Sequence, residues 1–350
     1  MLAAVEGGGT SFVVAIACGE PSNVIEREEF PTTTPEETIK RVTTWLSARH
    51  YDALGVATFG PVDLNTASPT YGFITTTPKP GWQHADVLGP LRAVRDVPFA
   101  LDTDVNAPAL AEFRHAKASG ECLSSCAYVT VGTGIGVGLV MNGAPVHGMM
   151  HPEGGHVCVP LHEQDVQLSF NGSNRSDTFG GFCAESMACS VALAQRAGLA
   201  STSELKHTGD THEMWDAAAH YLGALCANII LLVSPERIVM SGGVMLRKSL
   251  FPRIRAATQQ HLNGYLQLPQ LTTQAGIDKF IVPSAWGNDA GLMGALTLAQ
   301  LAHEKARATS PQTACASWRL VSRDRPLLFL ASASLLGAAL GVALCSRIRR

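Results

Sequence analysis

No run of lysine and arginine occurs in the first 300 residues, and the net charge over 350 residues is −3. A nucleic-acid partner needs a basic face, so that class is excluded. A disulfide framework is missing too: nine cysteines are scattered along the chain. No secretory signal precedes the first apolar run, which points to a reducing, cytosol-facing compartment with free thiols. Cys122 and Cys126, four apart and without a second pair, read as ordinary thiols. There is also no GxxxxGKS or GxxxxGKT string, so a P-loop is excluded.

What the chain does have is glycine in turns. "AYVTVGTGIGVGLVMNG" (127–143) sets glycines at alternate positions, 132 to 138, between β-branched runs. Glycine weakens a strand, so such a row implies close approach to the backbone, here expected from a ligand. "AAVEGGGTSFVVAIA" near the start has the same design. The two stretches predict an internal repeat of hairpins facing a common ligand. Strand-like runs alternate with helical ones, such as "TPEETIKRVTTWLSAR", whose acidic first turn and basic last turn suit a helix dipole. The expected fold class is α/β, two duplicated domains (1–115 and 116–301) closing on a cleft.

Backbone N–H groups unshielded by side chains suit nucleotide phosphates. "EGGGT" offers Gly8, Gly9 and Thr10, and "GTGIG" offers Gly132, Thr133 and Gly134. A third turn, "SGGVM", places Gly242 and Gly243 after a strand, where adenosine would meet them. Asp104 ends one strand and opens a helix, at the strand edge where open α/β sheets bind ligands. A carboxylate there either caps the helix or takes a hydroxyl proton. Asp102, its nearest rival, falls within the strand. Hydroxyl-rich substrates are recognised by convergent carboxylates and imidazoles, and "HPEGGH" supplies Glu153 and His156, with Glu185 in "CAE". His147, His151 and His162 are expected to be structural.

These motifs resemble the ROK sugar kinases, an actin-like, ribonuclease H-like two-domain fold that binds ATP. "TFGPVDLN", "SPTYGFITTTPKPGW", "DTDVNAPALAE", "LNGYLQLP" and "GNDAGLMGAL" resemble its fructokinase branch, and the similarity spans residues 3 to 300. The resemblance implies an ATP- and Mg²⁺-dependent hexose kinase with Asp104 as general base and Glu6 at the metal-associated position. Glu153, His156 and Glu185 would contact the hexose, Gly60 would line its pocket, and Thr103 stands where many relatives carry asparagine. Ser11 stands where relatives commonly carry lysine. Relatives also hold a structural zinc; of its four ligands only His156 and Cys183 remain here, so zinc is expected to be absent. The family's repressors carry an N-terminal helix-turn-helix, which is not expected here because the sequence opens on its first strand. The alternative is therefore a membrane-tethered, weakly active or non-catalytic sugar sensor.

The end of the chain differs in kind. Residues 302–325 form a polar linker, 326–345 carry no charge, and 346–350 are basic. About 20 residues rising ~1.5 Å each reach roughly 30 Å, the thickness of a hydrocarbon core. The run is expected to be a C-terminal hydrophobic helix acting as a transmembrane tail anchor, with the kinase facing the cytosol. Its basic flanks suit a mitochondrial outer or peroxisome-type membrane. "GAALG" (337–341) could pair two anchors in a homodimer.

Overall fold

Each glycine-rich stretch folds as a hairpin, and each hairpin opens a sheet. β1 (Leu2–Gly7) and β2 (Ser11–Ala17) pair antiparallel across the 8–10 turn, and β3 (Val24–Pro31) extends β2 antiparallel. β4 (Ala53–Thr58) runs parallel to β1, and β5 (Phe99–Thr103) parallel to β4, giving the order β3-β2-β1-β4-β5. The second sheet repeats this plan with β6 (Cys126–Val131), β7 (Ile135–Met141), β8 (Ala144–Pro145), β9 (Ile238–Ser241) and β10 (Ile281–Pro283). Read from its other side, its order is β8-β7-β6-β9-β10, with the same parallel and antiparallel pairings. The repeat expected from the glycine hairpins is thus a repeat of whole sheets.

The computed structural model describes residues 1–172 and 181–309. The 326–345 run, the basic end and most of the linker lie outside the described residues. Helices cover the sheets: α1 (Pro35–Ser47), α2 (Leu88–Ala93) and α3 (Asn106–Ala118) in the first half. The second half adds α4 (Glu163–Leu168), α5 (Ala184–Ala188), α6 (Ser190–Arg196), α7 (Met214–Val233), α8 (Leu250–Leu262), α9 (Pro269–Thr272), α10 (Gln274–Phe280) and α11 (Ala290–Thr309). Local chemistry sets their starts. The Thr34 hydroxyl accepts the Glu37 N–H at 3.3 Å, and Pro35 opens α1, where its missing N–H has no partner to lose. Helix α7 is long and apolar enough to cross a membrane, but 67% of its most apolar window is buried inside the protein, so it is a core helix.

The two sheets share packing. Leu2, Val13 and Ala57 of the first sheet join Tyr128, Val140 and Val239 of the second in one buried cluster through α3 and α11. Helix α3 lies against β7, which explains half of the glycine row. A Cβ on Gly138 would stand 2.0 Å from the Val105 carbonyl oxygen, and one on Gly136 2.5 Å from Val105 Cγ1. Those two glycines therefore admit the chain's own helix, which corrects the expectation that the whole row faces a ligand.

Candidate active site

Strand register assembles the site. Gly7, Thr58 and Thr103 lie side by side at the carboxyl ends of β1, β4 and β5. Asp104 follows at once, its N–H donating to the Thr58 carbonyl at 2.9 Å. In the second sheet Thr130 of β6 lies beside Ser241 of β9, so the turn carrying Gly132, Thr133 and Gly134 leaves the same edge as Gly242 and Gly243. This carboxyl edge is where open α/β sheets take ligands.

Carboxylates crowd it. Glu6, at the end of β1, packs against the start of α11 so closely that a Cβ on Gly291 would come within 1.9 Å of Glu6 Oε1. Burial and then the Asp104 charge push Glu6 up to about 7, with Arg27 opposing. Burial and then the Glu153 charge push Asp104 up to about 7 as well. Glu153 is itself raised by burial, against the pull of His151 and His156. Asp104 thus stands between a carboxylate beside the first glycine turn and one from the "HPEGGH" loop. Asp102 is already engaged: its Oδ1 accepts the Thr103 N–H at 2.7 Å, and its Oδ2 lies 3.0 Å from His147 Nε2. That bond holds His147 above the usual imidazole range although burial opposes it.

The sugar-side residues converge through partners the spacing does not reveal. His151 is buried and accepts the Val62 N–H on Nε2 at 3.1 Å. Its protonated Nδ1 then faces Glu153 Oε1 at 3.6 Å and the Pro152 carbonyl at 3.3 Å. A Cβ on Gly60 would lie 2.9 Å from His151 Cε1, so Gly60 and the "HPEGGH" loop are in contact. Glu185, in the first turn of α5, accepts the Ile135 N–H at 2.9 Å, directly beneath the second glycine turn. Thr103 is buried, and its hydroxyl accepts the Asn106 N–H at 3.0 Å, which holds the start of α3. His151, read from sequence as structural, stands against Gly60 and Glu153, whereas His147 pairs with Asp102 and His162 caps α4.

His156 Nδ1 and Cys183 Sγ are 3.7 Å apart, with the thiol also capping α5. Burial disfavours the imidazolium, but Cys183, Glu185 and Glu153 outweigh it and raise His156. Structural zinc takes four donors. These two face each other, and among the described residues no group of three His, Cys, Asp or Glu side chains could hold a metal. Among the described residues these two donors do not make up a zinc site.

Residues 2–302 match the ROK family. The chain belongs to it. A fructokinase from Pediococcus pentosaceus is 35% identical over 306 residues, covering 87% of this chain and 100% of that protein. A fructokinase from Zymomonas mobilis subsp. mobilis is 36% identical, covering 86% of this chain and 97% of that protein. Among solved structures, a ROK family glucokinase from Streptomyces griseus in complex with glucose and AMPPNP aligns with a TM-score of 0.65. It is 20% identical and covers 86% of this chain and 99% of its own. The two-sheet α/β architecture is the actin-like fold of the ROK sugar kinases.

Metal analysis of the purified ROK chain is expected to find well under one zinc per chain; one tightly held zinc would overturn that reading. A second expectation follows from Asp104. The folded state holds its proton more tightly than an unfolded chain, where aspartate titrates near about 3.9, so folding loses stability as pH rises from there to about 7. Without ligands, Asp104→Asn should therefore melt at a higher temperature than wild type at pH 8. The margin should close toward pH 4, as thermal scans across pH would show.

Proposed function

We propose that fructose is the hexose on which this ATP-dependent ROK sugar kinase acts, through transfer of the γ-phosphoryl group to the 6-hydroxyl. The observation carrying the reading is Asp104, set between Glu6 on the phosphate side and Glu153 on the sugar side and pushed up to about 7. A general base works best with a pKa near the working pH. Asp104 would take the hydroxyl proton as the sugar oxygen bonds to the γ-phosphorus. Glu153, His156 and Glu185 would hold the hexose hydroxyls, with Gly60 lining the pocket. His151 would orient Glu153 through Nδ1 and keep the 60–62 loop against the sugar. Gly8, Gly9, Thr10, Gly132, Thr133 and Gly134 would face the phosphates, and Gly242 and Gly243 the adenosine.

Glu6 and Asp104, close enough that the Asp104 charge raises Glu6, form a donor set suited to a hard divalent cation. Glu6 would hold Mg²⁺ there, and the ion would neutralise phosphate charge when bound. The names of the Pediococcus and Zymomonas relatives support fructose over other hexoses.

In a coupled assay with MgATP, fructose should give a higher kcat/KM than mannose or glucose, and either of those ranking first would sink the substrate assignment. Asp104→Asn should lower kcat by at least ~10²-fold, the usual scale for a general base. Glu153→Ala should raise KM for fructose far more than KM for ATP. Equal effects on the two substrates would move Glu153 out of the sugar subsite.

The 326–345 run supports a second proposal, a membrane tail anchor with the catalytic units facing the cytosol. After alkaline carbonate extraction the full-length chain should stay with membranes, whereas a chain ending at Arg323 should be soluble and equally active. Equal extraction of both would rule the anchor out.

A further inference from the structure

The segment that follows "HPEGGH" and the segment that leads into α5 pair antiparallel at one position, Cys158 opposite Cys183. The Val159 N–H donates to the Phe182 carbonyl at 3.0 Å, and the Ala184 N–H donates to the Val157 carbonyl at 3.0 Å. Both bonds flank the cysteines, which makes them a non-hydrogen-bonded pair. Residues opposed in this way share a face, with Cα atoms about 4.5 Å apart. A disulfide takes a Cα separation of about 4.4–6.8 Å. Asn228 of α7 steadies one side, its Nδ2 donating to the Cys158 carbonyl at 3.2 Å. The backbone is therefore set for a bond that these two free thiols have not made.

The thiols differ in access and in what they touch. Cys158 is exposed and Cys183 is buried. Cys183 Sγ lies 3.7 Å from His156 Nδ1 and accepts the Ser186 N–H at 3.4 Å, as the cap of α5. Glu185 stands in the first turn of that helix and holds the Ile135 N–H. One sulfur thus supports two residues of the sugar side.

We propose that Cys158 and Cys183 are an oxidation site whose reversible disulfide weakens hexose binding. The inference rests on the sugar-side reading of His156 and Glu185. An oxidised small thiol, RSSR, is the oxidant. The Cys158 sulfur bonds to one of its sulfurs as the RS–SR bond breaks, and RSH leaves with the Cys158 proton. The Cys183 sulfur then bonds to the Cys158 sulfur. The second RS group leaves with the electron pair and takes the Cys183 proton. Two protein thiols are oxidised, and one RSSR is reduced to two RSH. Turned toward Cys158, the Cys183 sulfur gives up His156 and the Ser186 N–H, so the imidazole and the start of α5 both lose a partner. In a reducing compartment the pair stays open, and it closes as the small-thiol pool is oxidised.

The test equilibrates full-length wild type and Cys158→Ser with reduced or oxidised glutathione. Each sample is digested without reduction and assayed with MgATP and the best hexose of the panel. Oxidised wild type should yield a peptide pair linked through Cys158 and Cys183. Its KM for the hexose should rise about tenfold, the scale of one lost hydrogen bond, with KM for ATP near the reduced value. Dithiothreitol should reverse both changes, and Cys158→Ser should keep the kinetics of the reduced enzyme in either buffer. Glutathione on the exposed Cys18 and Cys122 with Cys158 and Cys183 left unlinked would overturn the site. A linked enzyme with unchanged hexose KM would overturn the effect on binding. So would an equal rise in Cys158→Ser, which would trace the loss to another thiol. The digest needs no turnover: if reduced wild type phosphorylates no hexose, the kinase reading fails and the linkage is still decided.

Discussion

Glu6 and Asp104 repel one another, and much of the surrounding structure exists to keep them together. Each is pushed up to about 7, and burial contributes more than the neighbouring charge in both cases. A fold without a task at this edge would have no reason to retain either carboxylate, since desolvated like charges oppose folding. Strand register forces the arrangement: Glu6 and Asp104 flank the row Gly7, Thr58 and Thr103. The same desolvation that destabilises the free protein would suit Asp104 to the proposed proton transfer near neutral pH. On the proposed chemistry a divalent cation would relieve that repulsion.

The architecture was legible because period and punctuation agree. Apolar runs of four to eight residues ended by glycine turns read as buried strands, and both hairpins fall where those signals put them. β3 was not legible. "VIEREEFP" carries mostly exposed, charged side chains, which is what an edge strand needs to avoid pairing with another chain, and it erases the apolar signal. The glycine row was legible as close approach but not as to what approaches. Glycines 136 and 138 accept α3, a contact between distant parts of the chain that no local pattern encodes.

Site residues divide along the same line. Asp104, Glu153, His156 and Glu185 lie in dense short motifs, and the sequence brings them to notice. His151 opens the same "HPEGGH" motif, but its role depends on partners that the motif does not show, and His147 lies in the loop before it. His151 matters through the Val62 N–H and the Glu153 carboxylate. Thr103 shows the converse. Its place next to Asp104 makes it conspicuous, yet its hydroxyl is committed to the start of α3. Adjacency in sequence identifies the strand end, while partners across the site decide what each side chain does there.

Helix α11 joins these threads, although it is the last element described. A Cβ on Gly55 of β4 would strike the Ala295 carbonyl oxygen at 1.9 Å, so the helix backbone lies directly on the first sheet. One on Gly294 would come within 2.5 Å of the Ala107 backbone, which sets α11 against α3. At its start Gly291 leaves room for the Glu6 carboxylate. The chain therefore returns from the second sheet to close over the first, touching the helix that follows Asp104 and the strand that carries Glu6. A close-packed contact of this kind transmits small displacements instead of absorbing them. Any shift of α11 would accordingly move Glu6 relative to Asp104, so the geometry of the first glycine turn depends on chain far beyond the first sheet.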